Sequence, residues 1–149
     1  MKIYLASDHG GFKLKEKVKF FLKNLGYLVE DCGAFVYEKD DDYPIFIEKA
    51  TKKVASDLSS KGIVFGKSGA GESIVANKIK GVRAVLGFSR ENVELSRIDN
   101  DANVLALGSK FTDENKASIL VRTFLETPFS NEERHKRRLE EIKKIECAK

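Results

Sequence analysis

The chain has 149 residues, 42% of them hydrophobic and 34% charged, with 27 basic against 23 acidic side chains for a net charge of +4. That is one domain's worth of chain, able to bury about two-thirds of its unfolded surface, so disordered and collagen-like classes are excluded. The longest apolar stretches, such as residues 103–108, fall far short of the ~20 residues of a membrane span. The opening residues 1–7 run straight into Asp8 and His9, too short an apolar run for a secretory signal. The positive surplus has three readings: a solvated surface, a nucleic-acid footprint, or affinity for small anions. Both signs are mixed along the chain, which favours the first over the second. Cys32 and Cys147 lie far apart and form no CxxC, so they are expected as reduced thiols of a cytoplasmic protein.

Residues 2–6 read as a buried strand ending in a turn at Ser7-Asp8-His9-Gly10-Gly11. Phe12, Leu14, Val18, Phe21, Leu22 and Leu25 then recur at helical spacing, with Gly26 as the stop. Lysines 13, 15, 17, 19 and 23 fill much of the other face, which is expected to be solvated. Residues 27–31 form a second strand. The acidic run 38–42 lacks the glycine and distal glutamate of an EF-hand loop and is expected to be a solvated lead-in to a helix over 45–58. Residues 62–65 form a third strand, entering the glycine-rich segment 66–71 and a helix over 72–78. A fourth strand (82–86), a helix (90–98) and a fifth strand (103–107) follow. Asp113 caps a helix to about 126, Pro128 breaks it, and Ser130 or Asn131 caps a last charged helix to about 146. Five strands alternating with helices, with no repeat or linker, predict a single domain over 1–149. The expected architecture is a three-layer α/β/α Rossmann-like fold with a five-stranded parallel sheet and an extra C-terminal helix. Ligands of such folds bind beyond the carboxyl ends of the strands, where strand order reverses. Asp8-His9, residues 66–72, Asp99-Asn100 and Lys110 are the candidate clusters.

The segment Gly66-Lys67-Ser68-Gly69-Ala70-Gly71-Glu72 is the strongest local signal. Glycines let main-chain amides approach an anion, and a following helix N-terminus adds favourable partial charge. It is not a Walker A loop, because only three residues separate Gly62 from Gly66, and Ile74 breaks a dinucleotide fingerprint. Glu72, in the first helical turn, reads either as an acid facing the helix dipole or as a general base at the mouth of the loop. In the second reading Ser68 donates to a substrate oxygen and the amides of residues 69–71 hold a developing oxyanion. Asp8 with Lys110 suggests a receiver domain, but Phe65-Gly66 stands where that fold needs an aspartate. His9 reads as a loop or core histidine, and His135 as exposed. Arg134 and Arg138 share one helix face and read as a solvated patch or as a phosphate clamp. Glu132, Glu133, Glu140 and Glu141 dilute that charge, against a nucleic-acid helix.

Taken together, residues 6–12, 42–44, 66–71, 76–78, 81–84, 100–103 and 134–138 resemble, in order and over nearly the whole chain, the type B ribose-5-phosphate isomerases. These belong to a wider family that includes galactose-6-phosphate isomerase subunits. The resemblance implies an aldose–ketose isomerase acting on a five-carbon sugar phosphate through a cis-enediolate, without metal or organic cofactor. Allose or galactose 6-phosphate is the alternative substrate, and a catalytically silent sugar-phosphate-binding module the alternative role. Members of the family use as base either a cysteine at the position of Gly66 or a glutamate at that of Glu72, so the resemblance assigns the base to Glu72. It also puts Asp8, His9 and Tyr43 at the sugar, and His9, Arg134 and Arg138 at the phosphate. Asn100 and Lys110 are expected from a second subunit of a homodimer or tetramer with shared sites. Three positions depart from the family. Asp99 stands for a histidine assigned to ring opening, which leaves that step to Asp8 or Asp99. Lys110 stands for an arginine. Lys67 stands for a small residue and is expected to face the enediolate, the phosphate or solvent. No nucleic acid and no membrane is expected as partner.

Overall fold

The computed structural model describes residues 1–148. Five strands, all paired in parallel, form one sheet in the order β2-β1-β3-β5-β4. The strands are β1 (Lys2–Ser7), β2 (Leu28–Asp31), β3 (Lys61–Gly66), β4 (Ala84–Leu86) and β5 (Val104–Gly108). The helices between and after them are α1 (Phe12–Asn24), α2 (Tyr43–Ser56), α3 (Ala70–Ala76), α4 (Arg90–Asn100), α5 (Glu114–Glu126) and α6 (Glu133–Cys147). The expected three-layer fold is therefore the observed one. Among the described residues no helix is long and apolar enough to cross a membrane.

Helices cover both faces of the sheet, so both alternating sets of strand residues are apolar. Ile3, Leu5, Ile63, Phe65, Leu105 and Leu107 pack under α1 and α5, against Leu14, Val18, Leu22, Leu120 and Phe124. Tyr4, Ala6, Val64, Val104 and Ala106 pack on the other face with Ile47, Ala50 and Val54 of α2 and Ala76 of α3. The chain steps from β1 outward to β2, then returns to place β3 on the other side of β1. The strand order reverses between β1 and β3, and their carboxyl ends carry Asp8 and Gly66.

Several local expectations are corrected. The helix over 45–58 begins two residues earlier, at Tyr43, with Pro44 in its first turn, where a missing N–H costs nothing. The last helix starts after Glu132, which makes no side-chain cap. Ser130, expected as a cap, instead sits 2.6 Å from Nδ1 of His135. His135 is 2% exposed rather than solvated.

Lys15 is the clearest exception to the solvated lysine face, with a side chain fully withdrawn from water. Its ammonium donates to both oxygens of Asp31 at 2.7 Å and to the Ala34 carbonyl at 2.6 Å. Those contacts pin the chain just beyond β2. There Cys32 N–H bonds to the Leu5 carbonyl, and Ser7 pairs with the Gly33 carbonyl and the Ala34 N–H. The pinned segment extends the β1 ladder to the residue before Asp8. Replacing Lys15 by Met should cost about 3 kcal/mol, because it leaves Asp31 and a carbonyl underpartnered in a water-poor site. A urea titration should show a lower midpoint at unchanged slope; a midpoint equal to that of the parent protein would refute this clamp.

Candidate active site

Glu72 is the third residue of α3 and is 3% exposed. The preceding turn places it there: Gly69 takes φ 79°, a left-handed conformation that costs glycine little, and ends the loop as the helix N-cap. The Glu72 side chain folds back over the end of β3. A Cβ on Gly66 would overlap its carboxylate, so the acid occupies space that exists only because residue 66 has no side chain. Burial pushes the Glu72 carboxyl above its ordinary value, main-chain hydrogen bonding at Glu72 and Gly69 opposes this, and the charge of Asp8 adds to the rise. The Ala70 and Gly71 amides stand beside Glu72 at the start of α3. The Ala70 N–H also lies 3.3 Å from Oγ of Ser68, which is exposed along with Lys67 and Ala70 itself.

Asp8 reaches the same crevice from β1. It is 7% exposed, and its Oδ1 accepts the Gly11 N–H at 3.1 Å. His9 follows it, partly exposed, with Nδ1 2.6 Å from Oδ1 of Asp41. Tyr43, at the start of α2, lies against Gly71 so closely that a Cβ there would strike its ring. Lys110 is fixed by its N–H to the Lys67 carbonyl at 3.0 Å. This corrects the expectation that it arrives from a second subunit, because it stands beside the glycine loop of its own chain. A cavity of about 610 Å³ opens next to the crevice, with His9, Lys67, Lys13 and Thr112 among its walls. Asp8, His9 and Asp41 each bring one potential metal-ligand atom within 4.8 Å of the others. The ring nitrogen on that side is already engaged by Asp41.

The remaining candidates lie elsewhere. Asp99 and Asn100 end α4, which runs antiparallel to the strands and returns the chain to the start of β5. Arg134 and Arg138 lie on α6, which is tied to that same pole at two points. His135 Nε2 lies 3.6 Å from Oδ1 of Asp99, and Glu146 accepts the Gly81 N–H just before β4. Both arginines are exposed, and Arg134 pairs with Glu132 at 2.7 Å. A six-residue strand such as β3 is about 20 Å long. Within one chain, then, Asp8, His9, Tyr43, Lys67, Ser68, Gly69, Ala70, Gly71, Glu72 and Lys110 gather at one end of the sheet. Asp99, Asn100, Arg134 and Arg138 gather at the other.

Sequence reasoning missed Asp41. It lies in the run Asp40-Asp41-Asp42, and composition does not say which of three neighbouring aspartates turns inward. Lys15 was missed for the same reason, one buried lysine among four solvent-facing ones.

The chain matches the Ribose/Galactose Isomerase family over residues 3–142. It is 41% identical over 146 residues to ribose-5-phosphate isomerase B of Mycolicibacterium paratuberculosis, covering 98% of this chain and 92% of that protein. Its fold is similar to that of ribose-5-phosphate isomerase B from Clostridium thermocellum, with TM-score 0.94 and 40% identity over 99% of both chains. The Mycoplasma genitalium enzyme, whose crystal structure holds ribulose 5-phosphate, is similar at TM-score 0.95 and 35% identity, covering 99% of this chain and 97% of that one. A family match over nearly the full length, a relative at this identity and a fold this close make the chain a member of the ribose/galactose isomerase family.

Proposed function

We propose that this chain interconverts ribose 5-phosphate and ribulose 5-phosphate, with Glu72 as the general base. The observation that carries the reading is a water-shielded carboxylate facing Asp8 across the crevice where strand order reverses, with loop amides beside it. The relatives named ribose-5-phosphate isomerase B, one with ribulose 5-phosphate bound, support that substrate pair over six-carbon sugar phosphates.

The chemistry follows from the half-site around Glu72. Asp8 takes the proton of the anomeric hydroxyl as the bond from C1 to the ring oxygen breaks. Glu72 then removes the C2 proton of the open-chain aldose, giving a cis-enediolate, the hydroxyl proton passes from O2 to O1, and Glu72 returns its proton to C1 to give the ketose. The Ala70 and Gly71 amides and the Ser68 hydroxyl stabilise the enediolate oxygens, and His9, Lys67 and Lys110 attract the phosphate. A carboxyl with a raised pKa suits the work, since a proton held by the base must be given back.

The other half of the site comes, on this reading, from a second copy. Asp99, Asn100, Arg134 and Arg138 are too far from Glu72 in the same chain to share its substrate. The edge beside them is unfinished. β4 has three residues and a single strand neighbour, and Phe88, Leu95 and Ile145 are exposed nearby. A groove of about 520 Å³ runs along that edge between Asn77, Leu86, Asn100 and Ile142. A two-fold dimer seated there brings the arginines of each copy to the phosphate of the other. In the combined site the proton that Asp8 takes from the anomeric hydroxyl passes to the ring oxygen, with Asp99, next to His135, as the relay. The free thiols Cys32 and Cys147 fit a reducing cytoplasm.

A coupled assay against five- and six-carbon sugar phosphates tests the reading, with ribose 5-phosphate expected as the best substrate. Glu72→Gln should lower kcat by about 10²- to 10⁴-fold, the range for one general base. Because the folded carboxyl titrates above its ordinary 4.5, its ionisation destabilises the protein as pH rises through the raised value. The same variant should therefore melt no lower than the parent at pH 7, and the parent's kcat should decline on its acid side above pH 4.5. Gly66→Ala should displace the carboxylate and cost about 100-fold in kcat; full activity would remove Glu72 from the reaction. Mixing and reassembling Glu72→Gln with an Arg134→Ala, Arg138→Ala double variant should restore up to about a quarter of parental activity, since one site of each mixed dimer is intact. No recovery despite proven mixed dimers would mean that each chain holds a whole site.

A further inference from the structure

Asp41 belongs to an acidic run on the β2–α2 loop, yet its side chain is only 6% exposed. Its Oδ1 receives two hydrogen bonds from a single residue, the His9 main-chain N–H at 2.9 Å and the His9 ring at 2.6 Å. Its Oδ2 is enclosed with no partner among the described residues. A carboxylate can only accept, so Nδ1 is the protonated ring nitrogen on that side. The ring is thereby fixed in rotation, with Nε2 turned away from Asp41.

We propose that Asp41 is a positioning residue that makes His9 a fixed cationic contact for the phosphate of the substrate. This rests on the isomerase reading above and adds a residue to it. A neutral histidine held through Nδ1–H leaves Nε2 as an acceptor, which a phosphate dianion repels. Protonated, the same ring presents Nε2–H as a charge-assisted donor.

The surroundings act in the same direction. The hydrogen bond that the His9 ring donates to Asp41 holds the His9 pKa above 6.5, burial opposes it, and the charges of Asp8, Asp41 and Asp40 reinforce it. Asp8 Oδ2 stands 3.9 Å from Nδ1, and the Tyr37 ring meets the imidazole edge-on at 6.3 Å. The cations lining the adjoining cavity are Lys13 and Lys17 of α1 and Lys67 of the glycine loop, and Asp113 and Glu114 close it from the start of α5. The lysines disfavour the imidazolium and the acids favour it. Asp41 is the group in direct contact, and it alone also sets the direction of the ring.

Asp41→Asn tests this, since the amide oxygen can still accept from the main chain while the charge is gone. The His9 titration, followed by NMR in the intact protein, should move to lower pH. The KM for ribose 5-phosphate should rise about tenfold with kcat changed less than about twofold, as loss of one charge-assisted contact made equally to substrate and transition state predicts. Competitive inhibition by inorganic phosphate should weaken by the same factor. The KM penalty should be larger at pH 8 than at pH 6, where the imidazole of the variant is still protonated. An unchanged His9 titration with an unchanged KM overturns the proposal. So does a fall in kcat with lowered melting temperature and unchanged phosphate inhibition, the pattern of a purely structural tie. Should the variant not fold, ring nitrogen shifts of the parent decide. A neutral form protonated at Nε2, or a titration at or below pH 6.5, overturns it. If the parent fails to isomerise ribose 5-phosphate, the isomerase reading falls, while phosphate-induced shifts of His9 still test the role of Asp41.

Discussion

The proposed chemistry depends on keeping one carboxylate out of water without a cation beside it. Among the described residues no lysine or arginine is paired with Glu72; its support is main-chain hydrogen bonding, and the charge that acts on it is that of another acid, Asp8. Such an arrangement is unfavourable for folding and useful for proton transfer, because a carboxyl that resists ionisation binds and releases a proton closer to neutral pH. The rest of the fold makes this tolerable. Two apolar clusters, one on each face of the sheet, supply the stability, and the carboxylate fills a space left by the absent side chain of Gly66.

The same constraint explains why the polar groups around the crevice are held by backbone rather than by long side chains. Asp8 is fixed by the Gly11 amide, Lys110 by the Lys67 carbonyl, and Ser109 by its hydroxyl on the Gly10 carbonyl at 2.6 Å. The first closes the turn after β1 on itself, and the other two join the turn after β5 to the turns after β3 and β1. The carboxyl ends of β1, β3 and β5 thus behave as one rigid rim. Long cationic side chains are instead placed where they act at a distance, on α1 and the loop, or at the opposite pole on α6.

Much of the fold was legible because its signals are local. Apolar runs of strand length, helical spacing after each, Asp113 as a cap and Gly26 as a stop are all set by neighbours in sequence. Glu72 was legible as a candidate because its place after a glycine-rich turn constrains what it can face. The inward turn of Asp41, the burial of Lys15 and the anchoring of His135 were not legible. Each depends on a partner far along the chain, such as His9 for Asp41 or Asp31 for Lys15. Surrounded by like residues, none carries a mark of its own in the sequence.

The amino-acid sequence by itself determined the alternation of strands and helices, the glycine turn that delivers Glu72, and membership of a family through motifs in a fixed order. Only the tertiary structure decided which of those motifs share a site. Strand direction and crossover put the residues after β1, β3 and β5 at one end of the sheet, and those before β4 and β5 at the other. Residues 72 and 99 carry equally plausible acids, yet the length of a strand separates them. That distance comes from parallel packing, a property of the assembled sheet and of no segment taken alone.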